Sequence, residues 1–137
     1  MTSALKFDAN EKVFIDRSES KFNHCQLQNN NEIKEFLINK GFSVYKAGQL
    51  TFEEQVYLFK NAKIIIGAHG AAFGNLVFCS ANAKVVEIKP INHPNFVSKT
   101  IGKINNLDFH YIETPKLETK NVLGDIHIDI KILNRYL

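Results

Sequence analysis

Apolar residues fall in short, dense blocks separated by stretches with helical spacing. Val13-Phe14-Ile15, Phe42-Ser43-Val44-Tyr45, Ile64–Gly67, Lys84–Ile88 and Phe109–Ile112 are rich in β-branched and aromatic side chains. Such runs predict strands buried on both faces, as in a parallel sheet. Between them, Ile33, Phe36 and Leu37 repeat at i, i+3, i+4, and Phe52, Val56 and Phe59 at i, i+4, i+7. Both patterns predict amphipathic helices. Asn29-Asn30-Asn31 offers N-cap chemistry after the polar stretch from Glu19. Gly41 stands where a helix C-terminal glycine belongs, and Thr51 with Glu54 spells a capping box. Residues 70–78 predict a short helix, and Pro94 suits the first turn of one carrying Phe96, Val97, Ile101 and Ile104. In the last segment Ile126, Ile128, Ile130 and Ile132 alternate like a strand, whereas Ile130, Leu133 and Leu137 fit a helix. A short strand start running into a terminal helix accommodates both. Strand and helix patterns alternate along residues 1–137, without repeat or linker. The expected fold is a single α/β domain: a Rossmann-like parallel sheet with helices on both faces.

Composition narrows the partners. The chain has 137 residues, 45% of them hydrophobic and 11 of them Phe, so a sizeable core needs no staples. A net charge of +3 suits an anionic ligand, but it is small and scattered, and nucleic acid is not expected. Cys25 and Cys79 do not suggest a disulfide framework, and no Cys or His pair has zinc spacing, so no metal site is expected. Met1–Lys6 lacks the apolar centre of a signal peptide, and no run approaches membrane-spanning length. The expected location is cytoplasmic, with no membrane span.

Chemistry concentrates after the third strand. His69-Gly70-Ala71-Ala72 follows the apolar run at a glycine turn, where open α/β sheets bind their ligands. A helix N-terminus there presents free N–H groups and a positive dipole end. His69 can donate to an anion such as phosphate, or merely satisfy its own loop. Gly70, Ala71 and Ala72 add small size and backbone N–H groups, or close packing of helix on sheet. Asn75 can touch the ligand or hold the loop. Arg17, just after the first strand, can grip phosphate bidentately, or pair with Asp16 or Glu19. Glu87, closing the fourth strand, can accept ribose hydroxyls, or form an exposed pair with Lys89. Cys79 with His69 makes a poor nucleophile pair, since no third orienting group is evident. His24, His93, His110 and His127 are scattered and expected to be structural or exposed.

Several of these pieces, in order, resemble a known family. Arg17, Asn31-Glu32, Gly41-Phe42, Phe52-Glu53-Glu54-Gln55, Ile65–Ala72, Asn75–Phe78 and Val85-Val86-Glu87-Ile88 are similar to the C-terminal half of glycosyltransferase family 61. That family includes capsular-polysaccharide-type transferases and eukaryotic xylosyl- and N-acetylglucosaminyltransferases. The resemblance runs from about Lys12 to about Ile112. It implies the nucleotide-sugar half of a two-domain (GT-B) enzyme, transferring sugar from a UDP-sugar with inversion and without a required metal or other cofactor. It implies a donor site of Arg17, His69, Gly70, Ala71, Ala72, Asn75 and Glu87, with weight on Gln55 from resemblance alone. The carboxylate base is expected from the other half, so no catalytic residue is assigned here. The family's usual second arginine before the Asn-Glu is absent, the region reading Cys25-Gln26-Leu27-Gln28. The expected function is therefore the donor-binding part of a polysaccharide or glycan transferase, with an acceptor-binding partner domain or chain. The alternative is a non-catalytic nucleotide- or partner-binding module from a split or truncated transferase. A polysaccharide-modifying enzyme on the same fold, such as a pyruvyl transferase, is a third, weaker alternative.

Overall fold

Five strands form one all-parallel sheet in the order β2-β1-β3-β4-β5. The computed structural model describes residues 8–18, 26–91, 93–94, 96–115 and 126–137. In chain order the elements are β1 (Lys12–Ile15), α1 (Asn30–Asn39), β2 (Ser43–Tyr45), α2 (Phe52–Asn61), β3 (Ile64–Ala68), β4 (Lys84–Pro90), α3 (Val97–Ile104), β5 (Asp108–Thr114) and α4 (Ile130–Asn134). Two 3-10 segments, Ala47–Gln49 and Ala71–Phe78, lie between β2 and α2 and between β3 and β4. The alternation of strand and helix is the expected Rossmann-like α/β arrangement.

The central strands β1, β3 and β4 bury both faces, which is why their apolar runs do not alternate with polar residues, whereas the edge strands β2 and β5 are only partly covered. Phe14, Ile66, Val86, Ile88 and Ile112 point to one layer, filled by Ile33 and Leu37 of α1, Ile126, Ile128 and Leu133. Val13, Ile15, Ile65 and Val85 point to the other, with Leu58 and Phe59 of α2 and Phe73 and Leu76 of the second 3-10 segment. Phe14, Phe59 and Phe73 are essentially inaccessible, and each such side chain contributes about 1.5–3 kcal/mol by leaving water.

Local signals fix the helix ends. Thr51 Oγ1 accepts from the Glu54 N–H at 3.1 Å, and the Glu54 carboxylate accepts from the Thr51 N–H at 2.9 Å, completing the capping box. After α1, Gly41 takes a φ of 90°, its N–H bonding Ile38 O and the Phe42 N–H bonding Leu37 O, a Schellman stop. Asn29 departs from expectation. It holds the N-cap place of α1, but its amide donates to Ile128 O at 2.8 Å, tying the terminal segment to the helix start. That segment makes one parallel bridge, Ile126 to Leu27, before α4.

Three boundaries move. The short helix expected over residues 70–78 is a 3-10 helix that starts one residue later, at Ala71. Helix α3 begins at Val97, with Phe96 as its N-cap and Pro94 ahead of it. Strand β4 does not end at Ile88. It continues to Pro90 because β5 runs alongside as far as Thr114, pairing Lys89 with Glu113 and Pro90 with Thr114.

Candidate functional site at the sheet switch point

The strand order creates a crevice. The chain leaves β1 for β2 on one side, then returns to place β3 on the other. In open α/β sheets the carboxyl-end crevice at such a reversal is where ligands bind. Arg17 follows β1 and His69 follows β3, so the two candidates sit on either lip. An Arg17 guanidinium N–H donates to the His69 carbonyl oxygen.

Gly70 makes that approach possible. Its φ of 177° is ordinary extended backbone, so conformation alone does not demand glycine. Space does: a Cβ there would lie 2.8 Å from Arg17 Cζ and 2.9 Å from Cδ. Gly67, one turn earlier, is tight for a similar reason, since its Cβ would lie 3.2 Å from Phe73 Cε2. The small residues seat the Arg17 stem above and Phe73 beneath.

Asp16 holds the β1 end. Its Oδ1 accepts from the Ser18 N–H at 2.9 Å and from the Asn30 amide at 3.2 Å, and Lys34 Nζ lies 3.2 Å from Oδ2. Burial alone would raise the Asp16 carboxyl. Hydrogen bonds from Ser18 and then the bond and charge of Lys34 outweigh it, leaving the carboxyl below its ordinary value. Lys34 is thus an ion-pair partner of Asp16.

His69 is nine-tenths buried and bonded on several sides. Its N–H donates to Ile88 O at 2.8 Å, and its ring Nδ1 stands 2.6 Å from Glu87 Oε1. Ser98 Oγ, in the first turn of α3, donates to the same Oε1 at 3.1 Å. Glu87 is fully buried in mid-strand, in register with Gly67 and Tyr111. This burial rules out the alternative of an exposed strand-end pair with Lys89. Lys89 is also fully buried, its Nζ 3.8 Å from the Phe96 ring centre and 4.0 Å from that of Tyr111. Glu87 Oε2 is buried and makes no hydrogen bond with a described residue. Burial first, and then the Glu87 charge, push the Tyr111 phenol up to about 12.

Sequence reasoning missed Ser98, His93, Lys89 and Tyr111. His93, expected to be structural or exposed, packs its ring against that of His69, with centres 4.5 Å apart. Lys89 carried a signal: it lies two residues after Glu87 in an apolar run, hence on the same face. His110 pairs with Asp108 at 2.7 Å, away from the crevice on the edge strand, and His127 is exposed. His24 and Glu19 lie outside the described residues.

Asn75 and Gln55 meet each other. The Asn75 amide donates to Gln55 Oε1 at 2.7 Å, and the Gln55 amide donates to Ala47 O and Leu50 O. Together they tie the segment after His69 to the start of α2. Ala71 is exposed and Ala72 half-buried at the head of that segment.

Cys79 lies in the core layer beside Leu76 and Ala83. Burial pushes its thiol up to about 12, far from the thiolate a nucleophile needs. Native chain at neutral pH is expected to resist a thiol reagent such as iodoacetamide at Cys79. Chain unfolded in urea is expected to react there, and mass spectrometry of the labelled peptide reads the difference. Rapid labelling of native protein would contradict this burial.

Among the described residues no helix is long and apolar enough to cross a membrane. The same residues contain no group of three or more His, Cys, Asp and Glu that could hold a metal ion.

No curated protein matches the chain. A family-level comparison does: the sequence pattern described as Glycosyltransferase 61 matches residues 2–86. The match takes in β1, the α2 cap, β3 and His69–Ala72, and ends one residue before Glu87. With most of the chain matched, and with Arg17 and His69 meeting at the switch point of a parallel sheet, this protein belongs to the glycosyltransferase 61 family.

Proposed function

We propose that the chain binds a UDP-sugar at the β1/β3 crevice and is the donor-binding part of an inverting transferase in polysaccharide or glycan synthesis. The observation that carries this reading is the meeting of Arg17 and His69 across the switch point. Arg17 and His69 supply donors to the diphosphate, and the first N–H groups of the 3-10 segment, at Ala71 and Ala72, add to them. Asn75 holds that segment in place through Gln55. Glu87 takes a ribose hydroxyl at Oε2, the oxygen that no described residue bonds, once the side chains over it give way. In the transfer, the acceptor oxygen bonds to the anomeric carbon as the bond to the diphosphate breaks. The acceptor's proton passes to a base on a partner domain or chain, and UDP departs with the bonding pair. Donors aimed at the departing diphosphate stabilise the charge that develops there.

A thermal-shift screen of UDP, UDP-sugars, GDP and CMP tests the reading. UDP at a hundredfold excess over its Kd is expected to stabilise the fold by about 2.7 kcal/mol. Arg17→Ala is expected to weaken UDP by roughly 1.5–3 kcal/mol, the size of a charge-assisted hydrogen bond. Gly70→Ala is expected to do much the same while leaving Tm nearly unchanged, because its Cβ displaces only the flexible Arg17 side chain. Glu87→Gln is expected to narrow the preference for UDP over dUDP in calorimetric titration. No stabilisation by any nucleotide, or unchanged affinity in all these variants, would reject the site.

A further inference from the structure

We propose that Glu87 and Ser98 are positioning residues that act through His69, fixing its imidazole with the proton on Nδ1 and Nε2 turned to the ligand. That the ligand is a diphosphate rests on the donor reading above, whereas the state of the ring does not. The argument starts at one oxygen. Glu87 Oε1 accepts from the Ser98 hydroxyl at 3.1 Å and lies 2.6 Å from His69 Nδ1. An ionised carboxylate oxygen can only accept, so against the Glu87 carboxylate the proton in the shorter contact sits on Nδ1. The bond one imidazole nitrogen makes sets the state of the other.

The rest of the residue is pinned as well. The His69 N–H is held by Ile88 O at 2.8 Å, its carbonyl accepts from Arg17, and the His93 ring lies against its own at 4.5 Å. Nε2 is the nitrogen left to meet a ligand. With Nδ1–H held, a second proton can be added only there, where it can be given to a phosphate oxygen. Among the described residues Glu87 and His93 touch this ring, Ser98 and Tyr111 stand beside Glu87, Arg17 holds the His69 carbonyl, and Lys89 Nζ donates to His93 O at 3.4 Å. Ser98 extends the arrangement to α3, so the start of that helix takes part in orienting a side chain on β3.

The test uses the full chain labelled with 15N-histidine. Proton–nitrogen correlation spectra report the tautomer, and the signal lost in His69→Gln identifies the residue. The wild type is expected to hold the Nδ1–H form. Glu87→Gln is expected to release a mixture with the Nε2–H form and to weaken UDP about tenfold, as when a group behind a liganding histidine is lost. Ser98→Ala is expected to give a partial mixture, and Ser98→Thr to restore the wild-type spectrum. An Nε2–H form in the wild type, or a tautomer unmoved in folded Glu87→Gln, would overturn the proposal. Should Glu87→Gln fail to fold, Ser98→Ala decides alone, and a spectrum like the wild type's overturns it. A fixed tautomer in a chain that binds no UDP would sink the donor reading and leave this one standing. UDP binding with the wrong tautomer would do the reverse.

Discussion

Phe73→Ala is expected to lower the unfolding free energy by about 3–5 kcal/mol, the range for emptying a buried aromatic site. Phe73 is almost wholly buried, in the layer beside Ile65 and Leu76. It is also the residue on which the strand-end segment rests. Its N–H bonds Gly70 O at 3.1 Å, and its ring presses against Gly67, where a Cβ would lie 3.2 Å away. Removing the ring leaves a cavity bordered by β3 that the sheet cannot close by itself. A domain of this kind has only about 5–15 kcal/mol in all, so the loss consumes a large share. The variant is expected to loosen Gly70 and, with it, the Arg17 contact, so nucleotide affinity falls along with stability. Urea unfolding of both proteins measures the first effect, and UDP titration well below the variant's midpoint measures the second. A loss below about 1 kcal/mol would mean that the neighbours fill the space and that the segment is held elsewhere.

Most of the sheet was legible because its central strands are buried on both faces, which writes them as uninterrupted apolar runs. Thr51, Glu54 and Gly41 were legible because a cap is a contact between residues close in sequence. Asn29 misled for the complementary reason. Its side chain is recruited by Ile128, ninety-nine residues away, and no local pattern announces that. The end of β4 was hidden in the same way. Lys89 and Pro90 look like a strand terminator until β5 supplies a partner edge, and Phe96 and Tyr111 supply faces on which a buried ammonium can rest. At the site, Arg17 and His69 could be placed on their strand ends from sequence. What could not be read was the company around His69. Ser98 and His93 arrive from the β4–α3 region, and their approach is fixed by tertiary packing alone.

These 137 residues, expressed alone, are expected to bind donor but transfer no sugar. Transfer needs a held donor, an oriented acceptor and a base for the acceptor's proton. In the proposed reading the crevice residues serve the first need. The described carboxylates Glu87, Asp16 and Glu113 do not serve the third. Glu87 is fully buried behind His69, with Oε1 occupied by that ring and by Ser98. Asp16 is buried, bonded by Ser18 and Asn30, paired with Lys34 and held below its ordinary pKa, which makes it a weak base. Glu113 is exposed on the edge strand, in register with Lys89. With strands roughly 5 Å apart, it stands about 10 Å across the sheet from β3. The second need matters most in magnitude. Holding two reactants in register can supply ~7–11 kcal/mol of a barrier, and a site that grips only one of them forfeits most of it. Water, by contrast, reaches a donor lying on an open edge, so slow hydrolysis is the residual reaction to expect. Incubating the chain with labelled UDP-sugars and a panel of glycan acceptors measures both products. Sustained multiple-turnover transfer would place an acceptor site and a base within this chain, and the division of labour argued here would fall.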